Sequence, residues 1–356
     1  LVDYAGRTDP TAKAPARSPI AEFETLRRSL IARTITGPEL EDGCSLLIED
    51  SNIQEILPNS RESDAPVPDD EDCLYVHNTT GLPIIVRRSV LARCGDDIFD
   101  GLGGPLTVED SILREGWDKG MSLLNNNLTI TRTLIVDCDK AIVPKSSSVA
   151  TRTVLADHVT IISEDHNTTL APWGYSIAPS SPDADTPSTG FYTQDKSGQS
   201  VAGAVLAIQA TNCLVYAKEP IKVDALYPAA NTVVTYSDLV DADDATALPW
   251  PGTGNIAAPP LLENQAARRL SPRYASPCRN SGDPAAPNDA DGSRTDMGAL
   301  VALTENLQSG EVRWTRSGSP YRVTDHLTVP AGLTLRIDPG VHVQVEANRR
   351  LTVLGR

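Results

Sequence analysis

The sequence predicts an all-β chain wound into a three-sided parallel solenoid, with coils of about 20–26 residues. Two observations predict it. The stretch VRRSVLARC (Val86–Cys94) has a near twin, LRRSLIART, at Leu26–Thr34. The pattern apolar–x–x–small then recurs from Val2, Leu26, Ile48, Val86, Val108, Ile130, Ala150, Ile208 and Val234.

Each element follows from that pattern. The fourth position is always small: Ala5, Ser29, Ser51, Ser89, Ser111, Thr133, Thr153, Thr211 and Ser237. The spacings are 24, 22, 38, 22, 22, 20, 58 and 26. The two long ones contain the Pro- and Asp-rich tracts SRESDAPVPDDED (Ser60–Asp72) and PSSPDADTPSTG (Pro179–Gly190), so they read as ordinary coils carrying loops. Taken alone, residues 18–34 look helical, with Ser18-Pro19 as a start signal and Ile20, Phe23, Leu26 and Leu30 on one face. The repeat overrides this, because its units are too short for helical repeats and alternate Val, Ile and Thr. A small residue at a fixed position fits a tight corner where like side chains stack from coil to coil. Towards the end of the chain, LTV recurs at Leu327 and Leu351, 24 residues apart, with Leu333, Leu335, Ile337 and Val341, Val343, Val345 alternating between them. Pro330-Ala331-Gly332 and Asp338-Pro339-Gly340 supply corners.

Composition narrows the function. A formal charge of −16 argues against nucleic-acid partners, which need a basic footprint. No apolar run is long enough to span a membrane. The chain opens on Leu1 without an initiator Met and closes on LTVLGR in mid-element, and so reads as a piece of something longer.

Two segments resemble the secreted bacterial right-handed parallel β-helix repeat proteins of the pectate-lyase-like superfamily. SPCRNSGDPAAPNDADGSRTDMGAL (Ser276–Leu300) is similar to the signature that closes many such helices, with Asn280 where an Asp usually stands. SPYRVTDHLTVPAGLTLRIDPGVHVQV (Ser319–Val345) looks like their opening coil. The resemblance implies a right-handed parallel β-helix with coils and insertions at 57–72 and 165–205 over residues 1–262. It also implies a closing segment at 263–300 and the opening coils of a second helix at 301–356. The superfold hosts lyases, hydrolases, adhesins and structural shafts alike.

Four groups could carry chemistry. Asp283, Asp289, Asp291 and Asp296 surround a Gly and make Ca²⁺ the candidate ion, although the spacing misses the usual Ca²⁺ loop. A capping turn satisfied by Arg294 is the plainer reading. Asp96 and Asp118 share a coil position, with Asp137 and Asp139 near the next and Lys140 in the third slot. Asp96, Asp118 and Asp137 are therefore the catalytic candidates of a glycosidase or a Ca²⁺-assisted lyase, set against a solvated acidic face. His158 and His166 lack the partners of a zinc site. Trp173, Trp250 and Tyr192 are candidate sugar platforms, or aromatics folded back on the solenoid flank. The six cysteines form no CxxC: Cys94 and Cys138 are two coils apart, beyond disulfide reach, Cys44–Cys73 could bridge, and buried small hydrophobes are the default.

The leading expectation is a non-enzymatic extracellular or cell-surface module, structural or adhesive, belonging to a larger repetitive protein or filament. Its partners would be other copies end to end or a polysaccharide, with no cofactor beyond the candidate Ca²⁺. The alternative is a domain that binds or degrades polysaccharide as a lyase or glycoside hydrolase.

Overall fold

The structure is a computed structural model. It describes residues 22–34, 37–40, 44–56, 72–77, 81–163, 187–195, 200–265, 269–273, 275–289, 293–299, 311–314, 319, 321–323, 326–345 and 347–356. Trp173, Asp291, His166, the Val2–Ala5 repeat and most of both insertions lie outside these.

The chain forms a right-handed parallel β-helix of three sheets, with eight, eight and seven parallel strands. The first sheet starts with Glu22–Arg27 and Cys44–Glu49, and the second with Leu30–Thr34 and Asn52–Ile56. The helical reading of 18–34 is thereby settled as strand over its described part. The third sheet includes Tyr75–His77, Phe99–Leu102, Lys119–Leu124 and Lys140–Lys145.

Register places like residues in columns. Ile48, Val86, Val108, Ile130, Ala156, Ala210 and Val234 align in the first sheet. Ile53, Leu91, Leu113, Ile135, Ile161, Val215 and Leu239 align in the second. All of them are buried and belong to one core running along the axis. Between the two sheets the chain turns on a residue with positive φ in every coil: Arg28, Asp50, Arg88, Asp110, Arg132, His158, Asn212 and Tyr236. A left-handed non-glycine residue costs about 1–2 kcal/mol, so the corner needs stabilising contacts.

The next residue provides them. Ser29 N–H donates to Ser51 Oγ (3.2 Å), Ser51 N–H to Ser89 Oγ (3.1 Å), and Ser89 N–H to Ser111 Oγ (3.2 Å). Ser111 N–H continues the ladder to Thr133 Oγ1 at 3.4 Å. Each of these hydroxyls donates in turn to the carbonyl two residues back, as Ser111 does to Glu109 at 2.7 Å. Two members of the predicted column are corrected. Thr133 is followed by Val159 and Cys213, not by Thr153 and Thr211, because Thr160 N–H pairs with Thr133 O and Leu214 N–H with Val159 O. Thr153 lies within the strand Thr151–Asp157, and Thr211 aligns with Asp157. The pattern ATRT therefore matched a strand six residues early. Replacing Ser111 by Ala is expected to leave the buried Ser89 N–H without its acceptor, costing about 1–3 kcal/mol in chemical denaturation. A loss below about 0.5 kcal/mol, the level of an ordinary surface change, would mean the ladder is incidental.

Charge also alternates from coil to coil around this corner. Arg27 and Arg87 both reach Glu49 (2.7 and 2.6 Å), and Arg88 bonds Glu49 and, at 2.8 Å, Asp50. Arg132 bonds Asp110 at 2.6 Å. A second row runs Arg33–Glu55–Arg93–Glu115, with separations of 2.9, 3.1 and 2.9 Å.

After the last coil, residues 250–256 close the end. Tyr236 N–H donates to Thr253 O, Leu239 N–H to Ile256 O, and Trp250 packs on the core. The segment resembling a closing signature instead lies along the outer face of the second sheet. There Leu262, Leu270, Cys278 and Met297 cover Leu134, Val136, Ile162 and Leu214. Gly298 takes φ +100°, and a Cβ on it would meet Thr160 Oγ1 at 2.6 Å, so this turn needs glycine.

Residues Glu311–Val353 form three two-stranded parallel pairs, with Leu327, Thr328 and Val329 opposite Leu351, Thr352 and Val353. Trp314 is fully buried among Val312, Val323, Leu327 and Val329, its ring stacked on Tyr321 at 4.7 Å.

Candidate cation site

The corner between the second and third sheets collects charge. Strand Val90–Cys94 ends in Gly95-Asp96-Asp97 before Phe99–Leu102 begins, and Asp72-Cys73 lies on the coil below, leading into Tyr75–His77. Backbone bonds set this register: Cys73 N–H donates to Asp97 O and Leu74 N–H to Ile98 O, both at 3.1 Å. Asp97 N–H also donates to Asp72 Oδ1 at 3.0 Å. The result is a carboxylate trio, Asp72, Asp96 and Asp97, with ligand oxygens all within 4.8 Å of one another. Asp72 and Asp97 are buried and Asp96 is half-buried.

Burial and mutual repulsion govern their protonation. Desolvation, then Asp97 and Asp100, push Asp72 up to about 10. Desolvation and Asp97 push Asp96 up to about 9. Asp97 is raised only to about 6, because Lys119 opposes its desolvation. Three like charges at such separations cannot all ionise without a counter-cation.

Lysines stand one coil further on. Lys119 N–H and Nζ reach Asp97 Oδ1 at 2.9 and 3.5 Å, and Nζ also pairs with Asp118. Lys140 Nζ bonds Asp118 at 3.0 Å and Asp139 at 3.1 Å. Burial would raise Asp118, but Lys119 and then Lys140 hold it down at about 2. Burial would lower Lys119, but Asp97, Asp118 and Asp96 hold it well above the usual lysine value.

The structure redistributes the sequence candidates. Asp96 and Asp118 do stack, through Asp118 N–H to Asp96 O. Asp139 rather than Lys140 is the third member, since Lys119 aligns with Lys140 and Lys140 N–H bonds Asp118 O. The assignment of Lys140 to the third slot was one residue off, because that coil is one residue shorter. Asp137 stands elsewhere: with φ +58° it continues the row of Arg33, Glu55, Arg93 and Glu115.

The other candidates are held by their own contacts. Asp289 Oδ2 accepts Asp296 N–H, Asp296 Oδ1 accepts Asn280 N–H, and Asp283 Oδ1 accepts Ala285 N–H. Arg294 donates to the Gly282 and Ser281 carbonyls and lies over the Tyr236 ring. Tyr192 is buried, its hydroxyl donating to Asp224 at 3.0 Å, and Trp250 is partly buried, packed against the core. His158 bridges Asp157 (3.0 Å) and Thr295 (2.7 Å), tying the closing segment to its coil.

The cysteine expectation is corrected as well. Cys73 and Cys94 form a disulfide with Cα atoms 5.4 Å apart, while Cys138, Cys213 and Cys278 are buried free thiols. Sequence reasoning missed Asp72 because it was counted as the last residue of an acidic insertion. The adjacency of Asp72-Cys73 and Cys94-Gly95-Asp96-Asp97 was the available signal.

No family model matches the chain, and no curated protein matches it. The crystal structure of pectate lyase Pel9A is similar, with 14% identity and a TM-score of 0.45 over 78% of this chain. The match spans 65% of that chain, less than two thirds of its length.

Proposed function

We propose that this β-helix is a secreted polysaccharide lyase that holds Ca²⁺ on Asp72, Asp96 and Asp97 and acts on an acidic polysaccharide along the third sheet. The observation that carries the reading is the carboxylate trio beside Lys119. A non-enzymatic shaft accounts for the serine and charge ladders, but it gives no reason to crowd three acids into a protected corner.

The residues suit Ca²⁺. Three carboxylates offer hard oxygens, mono- or bidentate, and leave part of a six- to eight-oxygen shell for substrate. When bound, the ion supplies charge neutralisation of a sugar carboxylate, which acidifies the proton on the adjacent carbon. A chain of net charge −16 repels a polyanion, so recognition needs such a bridge. Ca²⁺ on Asp97 would weaken one of the carboxylates that hold the Lys119 proton, leaving Asp118 as its ion-pair partner. Lys119 would take the proton from the carbon next to the carboxylate. The C–O bond at the β-carbon breaks, a C=C bond forms, and the leaving sugar oxygen gains a proton from water. The disulfide accords with an extracellular setting.

The test is release of unsaturated uronate from polyuronates, followed by ultraviolet absorbance in Ca²⁺ and in EDTA. Wild type is expected to be active only with Ca²⁺. Asp97→Asn should lose Ca²⁺ binding in calorimetry, and Lys119→Met should keep binding but lose kcat by about 10²-fold or more. Absence of both Ca²⁺ binding and product would overturn the proposal.

A further inference from the structure

We infer that His158 is a proton-operated latch, which as an imidazolium fastens the closing segment to its coil and as a neutral ring loosens it. A chain of hydrogen bonds, independent of the cation site, carries this. His158 Nδ1 faces Asp157 Oδ1 at 3.0 Å, and Nε2 faces Thr295 Oγ1 at 2.7 Å. Thr295 is buried, and its hydroxyl donates to Asp289 Oδ1 at 3.1 Å. With its hydrogen spent there, the hydroxyl can only accept from Nε2. Burial would raise Asp157, but His158, Asn212 and Arg132 hold it below the usual carboxylate value, so it can only accept from Nδ1. Both ring nitrogens donate at once only in the charged form. On deprotonation Nδ1 keeps its hydrogen for Asp157, Nε2 becomes an acceptor, and Thr295 must turn its hydroxyl from Asp289 to the ring. A charge-assisted bond then becomes a neutral one of about half the strength, and Asp289 loses a donor.

The corner is fixed and the segment is not. His158 N–H donates to Thr211 O, and Arg132 N–H donates to Asp157 O, both at 3.1 Å within the stacked coils. The closing segment, described at 275–289 and 293–299, joins no sheet. Among the described residues, Gly298 N–H to Asn212 O at 2.7 Å is the one backbone–backbone bond from it to a coil. Its hold therefore depends on side chains: Asn212 Oδ1 on Asp283 N–H, Thr160 Oγ1 on Ala299 N–H, Asp238 on Cys278, and His158 on Thr295. Loosening it would uncover Leu134, Val136, Ile162 and Leu214. Earlier coils place Arg28, Asp50, Arg88, Asp110 and Arg132 in this corner column, all with charges fixed near neutral pH. Histidine is the side chain that ordinarily changes charge between about pH 5 and 8, and it stands where the segment is tied. The charged groups around the ring are Asp157 beside it and Arg132 on the previous coil, the latter paired with Asp110. The segment adds Asp289, Asp296 and Arg294, and the next coil presents neutral Asn212, which bonds Asp157 at 2.9 Å. Asp238, pushed up to about 6 by burial, also titrates, so substitution rather than pH alone must isolate the imidazole.

Cys278 reports the opening. It is fully buried in the segment, and Met297 N–H on its carbonyl ties it to the residues beside Thr295. The full chain is labelled with N-ethylmaleimide at pH 5.5 and 8.5 and mapped by peptide mass spectrometry, as wild type, His158→Asn, Thr295→Val and Thr295→Ser. Asparagine suits the positive φ of this corner, as Asn212 does in the same column. Rates are taken as variant over wild type at each pH, which cancels the thiol's own pH dependence. His158→Asn is expected to speed labelling of Cys278 by about 10-fold at pH 5.5, the scale of one charge-assisted hydrogen bond, and by about 2-fold at pH 8.5. Thr295→Val should show the same split and Thr295→Ser the wild-type rate, with Cys138 and Cys213 unchanged throughout. No acceleration at pH 5.5, or an equal one at both pH values, overturns the latch. If His158→Asn also exposes Cys138 and Cys213, it has unfolded, and Thr295→Val, which leaves the corner intact, decides by the same criterion. If both variants expose all three thiols, His158 and Thr295 hold the whole helix together, and the latch falls.

Discussion

In EDTA, stability is expected to fall as pH rises from 6 to 10, and saturating Ca²⁺ is expected to restore it. The sign follows from the trio. Asp97, Asp96 and Asp72 have folded values of about 6, about 9 and about 10, all above the 3.8 of the unfolded chain. The folded state therefore binds more protons. Their contribution is fully present below the unfolded value and is lost as pH climbs through the folded ones. Asp118, held at about 2, titrates outside this window, and the raised Lys119 and Lys140 act only above it. Asp238, pushed up to about 6 by burial, adds a loss of the same sign near pH 6 that Ca²⁺ should not reverse.

A cation replaces the protons, so binding should release about two of them at neutral pH and tighten as pH rises. At a hundred times Kd, Ca²⁺ stabilises by about 2.7 kcal/mol. Urea midpoints at pH 5 and pH 9, with EDTA or CaCl₂, read both effects, and Asp97→Asn should abolish the response to Ca²⁺. A midpoint that is flat between pH 6 and 10 in EDTA, or indifferent to Ca²⁺ at pH 9, contradicts the assignment of the trio.

Reversing one coil of the charge rows, with Arg87→Glu, Arg88→Glu and Arg93→Glu together, should be the most damaging surface change in the protein. Glu49 has only 10% of its side chain exposed and accepts from Arg27, Arg87 and Arg88, so it would face two new carboxylates from a protected position. Asp50, Glu55 and Glu115 would lose Arg88 and Arg93 in the same step. Exposed pairs contribute about 0.2–1 kcal/mol each, whereas removing one partner of a buried pair costs about 3–5 kcal/mol. A total loss of about 3 kcal/mol or more is expected. Salt makes the result diagnostic: added NaCl should destabilise wild type by screening attraction and stabilise the variant by screening repulsion. Salt effects of the same sign in both would show that the alternation is decorative.

How far the sequence could be read follows from which interactions are periodic. An apolar residue three before a small one, repeated about every 22 residues, was enough to predict a parallel solenoid. Stacking is translational, so one coil's pattern must suit the next, and Ser29, Ser51, Ser89 and Ser111 do form a hydrogen-bonded column. The reading slipped where coils change length. Thr153 and Thr211 mimic the motif but lie off the column, and Asp139 took the slot assigned to Lys140. A one-residue shift leaves composition unchanged but moves a side chain to another face.

What the sequence by itself determined was the repeating path: strand, corner, strand, with a hydroxyl at most of the turns. What only the tertiary structure decided was the site. Asp72 meets Asp96 and Asp97 because an insertion returns the chain one coil below them, and the length of a loop leaves no periodic trace. Disulfide choice was likewise spatial, since Cys73 and Cys94 are neighbours only once the coils are stacked. Local patterns encode contacts that recur at a fixed interval, whereas a constellation formed once, across an irregular loop, exists only in three dimensions.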